Sequence, residues 1–386
     1  MNIVHIIPSA PYNEGWGYQD NLLPKYHSKM ENNVTVITTT REHGDGKIVK
    51  VKECRYRSKD GFDVVRRRDK FDILGKLSFL LSYEKVYDLL KDIRPDFIFF
   101  HGMVSITIFQ AIKYKKKINP NVVIVQDNHL DYNIGFDPSK SLKYKFYQFV
   151  FRMYHKLTRN YISKVYGVTP WRKTYAERVF GVSPLKADVL IMGADDEKIH
   201  FEQRDVIRNA IRSQYDIKSN EFLVVTGGKI DAKKKIDVLM KSVRDLLNVK
   251  LLVFGSIAER DKSKIDSILK ESNNIVYVGW IDADKVYDYF FAADLVLFPG
   301  QHSVLWEQAC ASKVPCVFEK WEGMEHVNNG GNADFVFPVT VETLKAKIEE
   351  LKFTPKYFEM KAVAESRNTD IFLYSKIAEK SLECVK

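Results

Sequence analysis

No apolar run in this sequence approaches the ~18–20 residues that a membrane-spanning helix needs, so no transmembrane segment is expected. Cysteine is nearly absent. Cys54, Cys310, Cys316 and Cys384 are the only four in 386 residues, and no two form a CxxC pair. That excludes a disulfide framework and a cysteine-based metal site, and it fits a reducing compartment. The start, Met1–Pro8, has neither a basic stretch nor a long apolar one, so it reads as a first strand rather than a signal peptide. A P-loop is missing, and so is the full GxGxxG dinucleotide fingerprint. Acidic residues are missing from one long stretch, Pro138–Ala176, which nevertheless carries nine Lys or Arg.

What is present is a globular composition, 45% hydrophobic and 28% charged, in a chain long enough for two domains. The net charge is +10 and lies in one half. Residues 1–195 hold 32 Lys or Arg against 20 Asp or Glu, and the rest hold 28 against 30. A basic half calls for an anionic partner: nucleic acid, anionic lipid or a phosphorylated acceptor. No nucleic-acid recognition motif accompanies the charge, which argues against the first.

Short apolar, β-branched runs alternate with helical stretches. Asn2–Ile7, Asn33–Thr38, Phe97–Phe100 and Val122–Gln126 read as strands, and Gln19–Met30 and Leu77–Asp92 as helices. The pattern resumes at Phe222–Thr226, Val249–Phe254, Ile275–Val278, Leu295–Phe298 and Cys316–Phe318. Continuous apolar strands between helices predict α/β architecture, with parallel sheets covered on both faces. The series breaks between Gly193 and Glu221, which puts the domain boundary at 193/194. The tail 367–386 reads as a helix after the last sheet.

Five segments carry candidate chemistry. Gly15-Trp16-Gly17-Tyr18-Gln19-Asp20 lies between a strand and a helix. It reads as a phosphate loop or as an ordinary tight turn. Gly227-Gly228-Lys229 with Lys233, Lys234 and Lys235 offers a diphosphate backbone donors and point charges, the alternative being a solvated basic turn. In His302-Ser303-Val304-Leu305-Trp306-Glu307, Glu307 falls in an apolar helix, where a carboxylate needs partners such as ribose hydroxyls, unless it faces water. His129 ends a strand in Gln126-Asp127-Asn128-His129 and is a general base, a phosphate contact or a structural histidine. In the acid-free segment, Leu142, Phe146, Phe149, Val150, Met153 and Leu157 fall on one helical stripe among Lys143, Lys145, Arg152 and Lys156. That is either an interfacial helix, with Arg66-Arg67-Arg68 as a companion basic cluster, or a core helix with snorkelling cations.

The order of these elements resembles family 4 glycosyltransferases over nearly the whole chain, most strongly from Ile191 to Gly331. Ile191-Met192-Gly193-Ala194-Asp195 is similar to the family's interdomain segment, and Gly228-Lys229 to its Gly-Arg. Lys234 stands at its phosphate-binding Lys, and Gly255 and Val278-Gly279-Trp280 at two further glycine positions. Glu307 stands at the second Glu of the E-x7-E motif, and Gly15, Gly17 and His129 at first-lobe site positions. Two positions depart from the pattern. Lys229 replaces Arg, keeping charge but losing the bidentate fork. Pro299 stands eight residues before Glu307 where the first Glu belongs, and a shorter loop brings His302 near that place.

The resemblance implies a GT-B fold: two Rossmann-like parallel-sheet lobes with a cleft between them. Residues 1–193 would form the acceptor lobe and 194–366 the nucleotide-sugar lobe, with 367–386 packing back on the first. It implies a retaining, metal-independent glycosyltransferase of bacterial-type surface glycan synthesis. The donor would be a UDP- or GDP-sugar, with no cofactor and no metal. His129, Lys229 and Lys234 would be the catalytic set. Gly15, Gly17, Gly228, Lys229, Lys234, His302, Ser303, Val304 and Glu307 would bind donor, with Glu307 on its ribose. Lys143, Lys145, Arg152 and Lys156 would meet the membrane or a lipid-linked or glycan acceptor. The expected place is the cytoplasm, peripheral on the inner face of the cell membrane. The rival is a non-catalytic GT-B partner subunit that binds nucleotide and supports an active transferase. A GT-B epimerase or phosphorylase is a further rival.

Overall fold

The computed structural model describes the chain except residues 9, 45–46, 70–82, 134–136 and 386. It divides into two compact units, Met1–Ile191 with Ile377–Lys386, and Met192–Lys376.

The first unit is built on an eight-stranded sheet. Its strands are β1 (Asn2–Ile6), β2 (Asn33–Thr39), β5 (Arg55–Arg57), β6 (Asp63–Arg67), β7 (Phe97–Phe100), β8 (Val123–Asn128), β9 (Lys164–Gly167) and β10 (Ala187–Val189), in the order β10-β9-β8-β7-β1-β2-β6-β5. All neighbours are parallel except β5, which runs antiparallel to β6 at the edge. A separate hairpin pairs β3 (Arg41–Gly44) with β4 (Lys47–Lys50). The second unit is a six-stranded, fully parallel sheet: β11 (Phe222–Gly227), β12 (Val249–Phe254), β13 (Ile275–Gly279), β14 (Leu295–Phe298), β15 (Cys316–Glu319) and β16 (Ala333–Val336), in the order β13-β12-β11-β14-β15-β16.

The sequence explains these strands. Phe97–Phe100, Phe222–Gly227 and Leu295–Phe298 are buried at every position, because helices cover both faces of a parallel sheet and leave no side that tolerates water. Counted from β11, the second sheet has the doubly wound order 3-2-1-4-5-6. Its order reverses between β11 and β14, so the loops leaving those two strands flank the crevice where such sheets bind ligands. In the first sheet the reversal lies between β1 and β7.

The helix expected over Leu77–Asp92 falls partly on residues 70–82, outside the described residues. Within them, α2 runs Val86–Ile93. The strands β3–β6, β9, β10 and β16 were not anticipated. They are short, polar or both, and a strand such as Arg55–Arg57 carries no apolar signal.

The tail differs from the single helix expected. Arg367–Phe372 is a 3-10 helix, α13 spans Tyr374–Ser381, and Glu383–Val385 is a further 3-10 turn. Arg367–Lys376 groups with the second unit rather than the first. Ala194 donates to the Phe372 carbonyl at 2.8 Å and accepts from the Tyr374 amide at 3.0 Å. Only Ile377–Lys386 groups with the first.

At the end of the second sheet remote from the β11 and β14 exit loops, buried Asp294 ties α6 (Arg204–Gln214) to the strands. It pairs with Arg208 at 2.6 Å and Arg212 at 3.1 Å, and accepts from the Leu223 amide at 2.7 Å. Removing the carboxylate leaves buried Arg212 and half-buried Arg208 with backbone carbonyls but no counter-charge, and the Leu223 amide without its acceptor. Asp294→Ala is therefore expected to lower unfolding free energy by ~3–5 kcal/mol in denaturant titration.

Candidate active site

In the second unit the β11 and β14 exit loops are in direct contact. A Cβ on Gly300 would stand 2.4 Å from the Lys233 carbonyl oxygen and 2.5 Å from Lys234 Cα, so only glycine lets the two loops meet. Lys234 crosses that contact. Its Nζ donates to the Gln301 carbonyl at 2.5 Å and to the His302 carbonyl at 3.3 Å. Burial lowers its pKa to about 8, with Asp231 opposing. Lys229 projects into solvent beside Gly228, whose φ of +102° suits glycine.

Beyond the Gln301 and His302 carbonyls, α10 (Leu305–Ala311) carries Glu307 into the interior, where it is fully buried. The exposed alternative for this carboxylate is thereby excluded. His302 Nε2 donates to Glu307 Oε1 at 2.8 Å, and His326 Nε2 donates to the same oxygen at 2.9 Å. Burial pushes this carboxyl up, but the two histidines outweigh it and hold the pKa at about 2. The second oxygen, Oε2, is buried with no hydrogen-bond partner among the described residues, as is His326 Nδ1. A buried carboxylate oxygen without a donor is costly, and ligand hydroxyls would satisfy it. Ser303 and Val304 lead into the helix, the Ser303 carbonyl accepting from the Trp306 amide at 3.0 Å.

His302, Glu307 and His326 also present three donor atoms within 4.8 Å of one another, a set that could hold a metal ion. The N–O distances of 2.8 and 2.9 Å are those of hydrogen bonds, and His326 Nδ1 lacks the outer partner that usually orients a ligating imidazole. His326 was not anticipated. It lies 19 residues beyond Glu307, on the far side of β15, and no spacing rule links them.

In the first unit, His129 follows β8 and is exposed, with Nε2 donating to Asp127 Oδ2 at 3.2 Å. Asp127 is fully buried and also takes the Gly102 amide at 2.5 Å and His101 Nδ1 at 3.3 Å. Burial pushes Asp127 up, and His129 and His101 outweigh it, so its net shift is well downward. Asp20, in the first turn of α1 (Gln19–Lys29), faces the same group. Burial raises its pKa against the pull of His101 and His129. Gly15 takes φ +79°, and nothing lies within 4 Å of a Cβ at Gly15 or Gly17, so the loop is open there. Asp127 and His101 went unassigned from sequence, although both sit at strand C-terminal ends, the position that marked out His129.

Helix α4 (Leu142–Thr158) settles one of the two readings of its stripe. Phe151, His155 and Thr158 are buried, with Tyr147 and Tyr154 against the core. Leu142, Phe146, Phe149, Met153 and Leu157 are 42–83% exposed, so this apolar stripe is not core. Lys143, Lys145, Arg152 and Lys156 are exposed beside it. Arg152 is partly committed, donating to the Arg178 carbonyl at 2.7 Å. The companion basic cluster does not hold. Arg66 is buried, bound to Glu42 at 2.5 Å and to the Tyr12 and Thr39 carbonyls, while Arg68 pairs with Glu53 at 3.3 Å.

Two Rossmann-like units of this kind define the GT-B fold, and the comparisons agree. Residues 207–364 match the family described as glycosyl transferases group 1. This chain thus has the GT-B fold, and the stretch that matches that family lies in its second unit. It is 25% identical over 264 residues to the processive diacylglycerol alpha-glucosyltransferase of Acholeplasma laidlawii, covering 63% of this chain and 74% of that one. Among solved structures it resembles Anabaena HepE in complex with UDP, at TM-score 0.68 and 16% identity, covering 99% of each chain. It also resembles WaaG, a glycosyltransferase involved in lipopolysaccharide biosynthesis, at TM-score 0.66 and 16% identity, covering 100% of this chain and 99% of that one.

The Glu307 pairing has a measurable pH signature. Its folded pKa lies below that of the free carboxyl, so its contribution is complete above pH ~4.5 and is lost as pH falls toward 2. The unfolding free-energy difference between the native chain and Glu307→Gln should be constant from pH 7 to 5 and shrink at pH 4 and below, as read by urea titration.

Proposed function

We propose that this protein is a metal-independent, retaining glycosyltransferase that moves a sugar from a nucleoside-diphosphate sugar to an acceptor held at an anionic membrane surface. One observation carries the donor half. A desolvated lysine and a buried, charged carboxylate with an unused oxygen share the 301–302 loop of the second unit. A nucleoside diphosphate presents that pair of groups: an anion for Lys234, with Lys229 beside it, and ribose hydroxyls for Glu307 Oε2. Fixed cations stabilise the charge that develops on the departing diphosphate, so the reading needs no metal. Gly228 adds a backbone amide beside Lys229, and Gly15, Gly17 and His129 are the first unit's candidates for a part in the reaction. The similarity to HepE with bound UDP supports UDP as the nucleotide.

The acceptor half rests on α4. Its exposed apolar stripe, flanked by cations in a segment without acids, has the composition of an interfacial helix. Each cation near anionic lipid contributes ~1 kcal/mol, screened within ~8 Å at physiological salt. The Acholeplasma relative is a diacylglycerol glucosyltransferase, and a lipid acceptor of that kind supports this reading. Pro299 in place of a first Glu keeps the non-catalytic partner subunit as the rival, and donor hydrolysis by the purified chain separates the two.

Calorimetry against UDP, GDP and their sugars tests the donor site. Lys234→Ala should lower kcat/KM by roughly 10²-fold, ~3 kcal/mol, and near-native kinetics in it would refute the assignment. Glu307→Gln should weaken the nucleoside diphosphate itself as well as the sugar donor. Because Lys234 loses its charge as pH rises through about 8, nucleotide affinity should fall between pH 7 and 9, and Lys234→Arg should flatten that fall.

Vesicle co-sedimentation tests the surface. Binding should require anionic lipid, drop with salt, and drop again when Lys143, Lys145, Arg152 and Lys156 are replaced together or when Phe146 and Phe149 become Ser. A chain that stays in the supernatant with anionic vesicles at low salt would favour a soluble acceptor.

A further inference from the structure

Behind Asp127 lies a row of buried imidazoles. His101 Nε2 is 3.0 Å from His5 Nδ1, and His5 Nε2 is 3.0 Å from His27 Nδ1. His27 Nε2 is 2.7 Å from the Ser381 hydroxyl and 3.3 Å from the Ala378 carbonyl. The row draws on β1, the residue after β7, α1 and the later part of α13, and every residue in it belongs to the first unit. His5 and His27 are wholly buried, and His101 is 9% exposed.

Neutral imidazole has one donor and one acceptor, so the row can be read in order from its fixed end. Asp127 only accepts, which makes His101 Nδ1 the donor and its Nε2 an acceptor. His5 must then donate from Nδ1 and accept at Nε2, His27 likewise, and Ser381 must donate to His27. The opposite register turns every ring's tautomer round; it is the one the Ala378 end of the row favours, since His27 Nε2–H then faces that carbonyl at 3.3 Å and Ser381 donates to it at 2.8 Å. It also leaves His101 Nδ1 facing a carboxylate, which requires one more proton and makes His101 a cation. The two registers therefore differ by a single proton.

We propose that Asp127 is the positioning residue of His129, and that the His27–His5–His101 row, closed by Ser381, stays neutral and leaves the Asp127 charge for His129 alone. Desolvation favours this register. It holds His5 well below the ordinary histidine range and His27 at about 4, so neither accepts a proton readily at neutral pH. The charged or titratable groups around Asp127 and His129 are then His101, Asp20 and each other, drawn from β7, α1 and β8. With His101 neutral, Asp127 orients the His129 ring through Nε2 and turns Nδ1 away from the carboxylate. With His101 charged, that attraction would be divided between two rings.

The functional consequence rests on the transferase reading, but the tautomers do not, and the experiment keeps the two apart. The full chain labelled with 15N-histidine is followed by long-range 1H–15N correlation, with single His→Gln variants for assignment. At pH 7.5, His5, His27 and His101 should each appear as neutral Nδ1–H rings. His129 should be held as the Nε2–H tautomer in the native chain and lose that preference in Asp127→Asn. A doubly protonated His101, Nε2–H tautomers along the row, or an unmoved His129 tautomer would overturn the proposal. In donor turnover, Asp127→Asn should cut kcat at least ~10-fold and leave donor KM within about threefold. Unchanged kcat with the expected spectra would overturn the positioning role. No turnover by the native chain, with the expected spectra, would sink the transferase reading and leave the row's assignment standing.

Discussion

A carboxylate carried into a low-dielectric interior has to find donors there, and the functional geography of this protein follows from how three such groups are served. Asp294 is served by two arginines and an amide, and it fastens a helix to the end of its sheet remote from the site. Asp127 is served by an amide and two imidazoles. Glu307 is served by two imidazoles on one oxygen and by nothing on the other. The first group is fully satisfied and structural. The other two lie at strand C-terminal ends or the helices that follow them, and each leaves capacity unused or directed outward.

Histidine is what makes this economy work at the site ends. An arginine beside Glu307 would occupy the carboxylate with a fork and fix its charge permanently. Two imidazoles keep it ionised through single bonds and leave one oxygen bare. In the first unit the same residue type forms a row in which each ring's proton dictates its neighbour's. Asymmetric, proton-counting networks of this kind are stiff while satisfied and costly to break at any one link.

Much of the architecture was legible because parallel sheets write themselves as continuous apolar runs. Phe97–Phe100 and Leu295–Phe298 were bounded to the residue. Arg55–Arg57, Arg41–Gly44 and Ala187–Val189 were invisible because edge strands are short and half wet. For the site, loops between strand and helix pointed to Lys234 and Glu307. His326 and the His5–His27–His101 row were not legible, since they are assembled by topology from distant segments. One local sign existed: a histidine inside the apolar run Ile3–Ile6 must find a partner once buried. On α4 the sequence could not say which of two faces was wet, as both are apolar and aromatic. The packing of Phe151 and Tyr154 on the core decided it.

The path of the chain carries a consequence of its own. It leaves the first unit after Ile191 and re-enters it at Ile377, so the second unit is an insertion within the first. One contiguous stretch, Met192–Lys376, encodes the whole of the inserted unit, whereas the host unit is encoded in two pieces separated by that stretch. The buried row joins those two pieces: His5, His27 and His101 come from the stretch before the insertion, and Ala378 and Ser381, at the far end of the row, from the stretch after it.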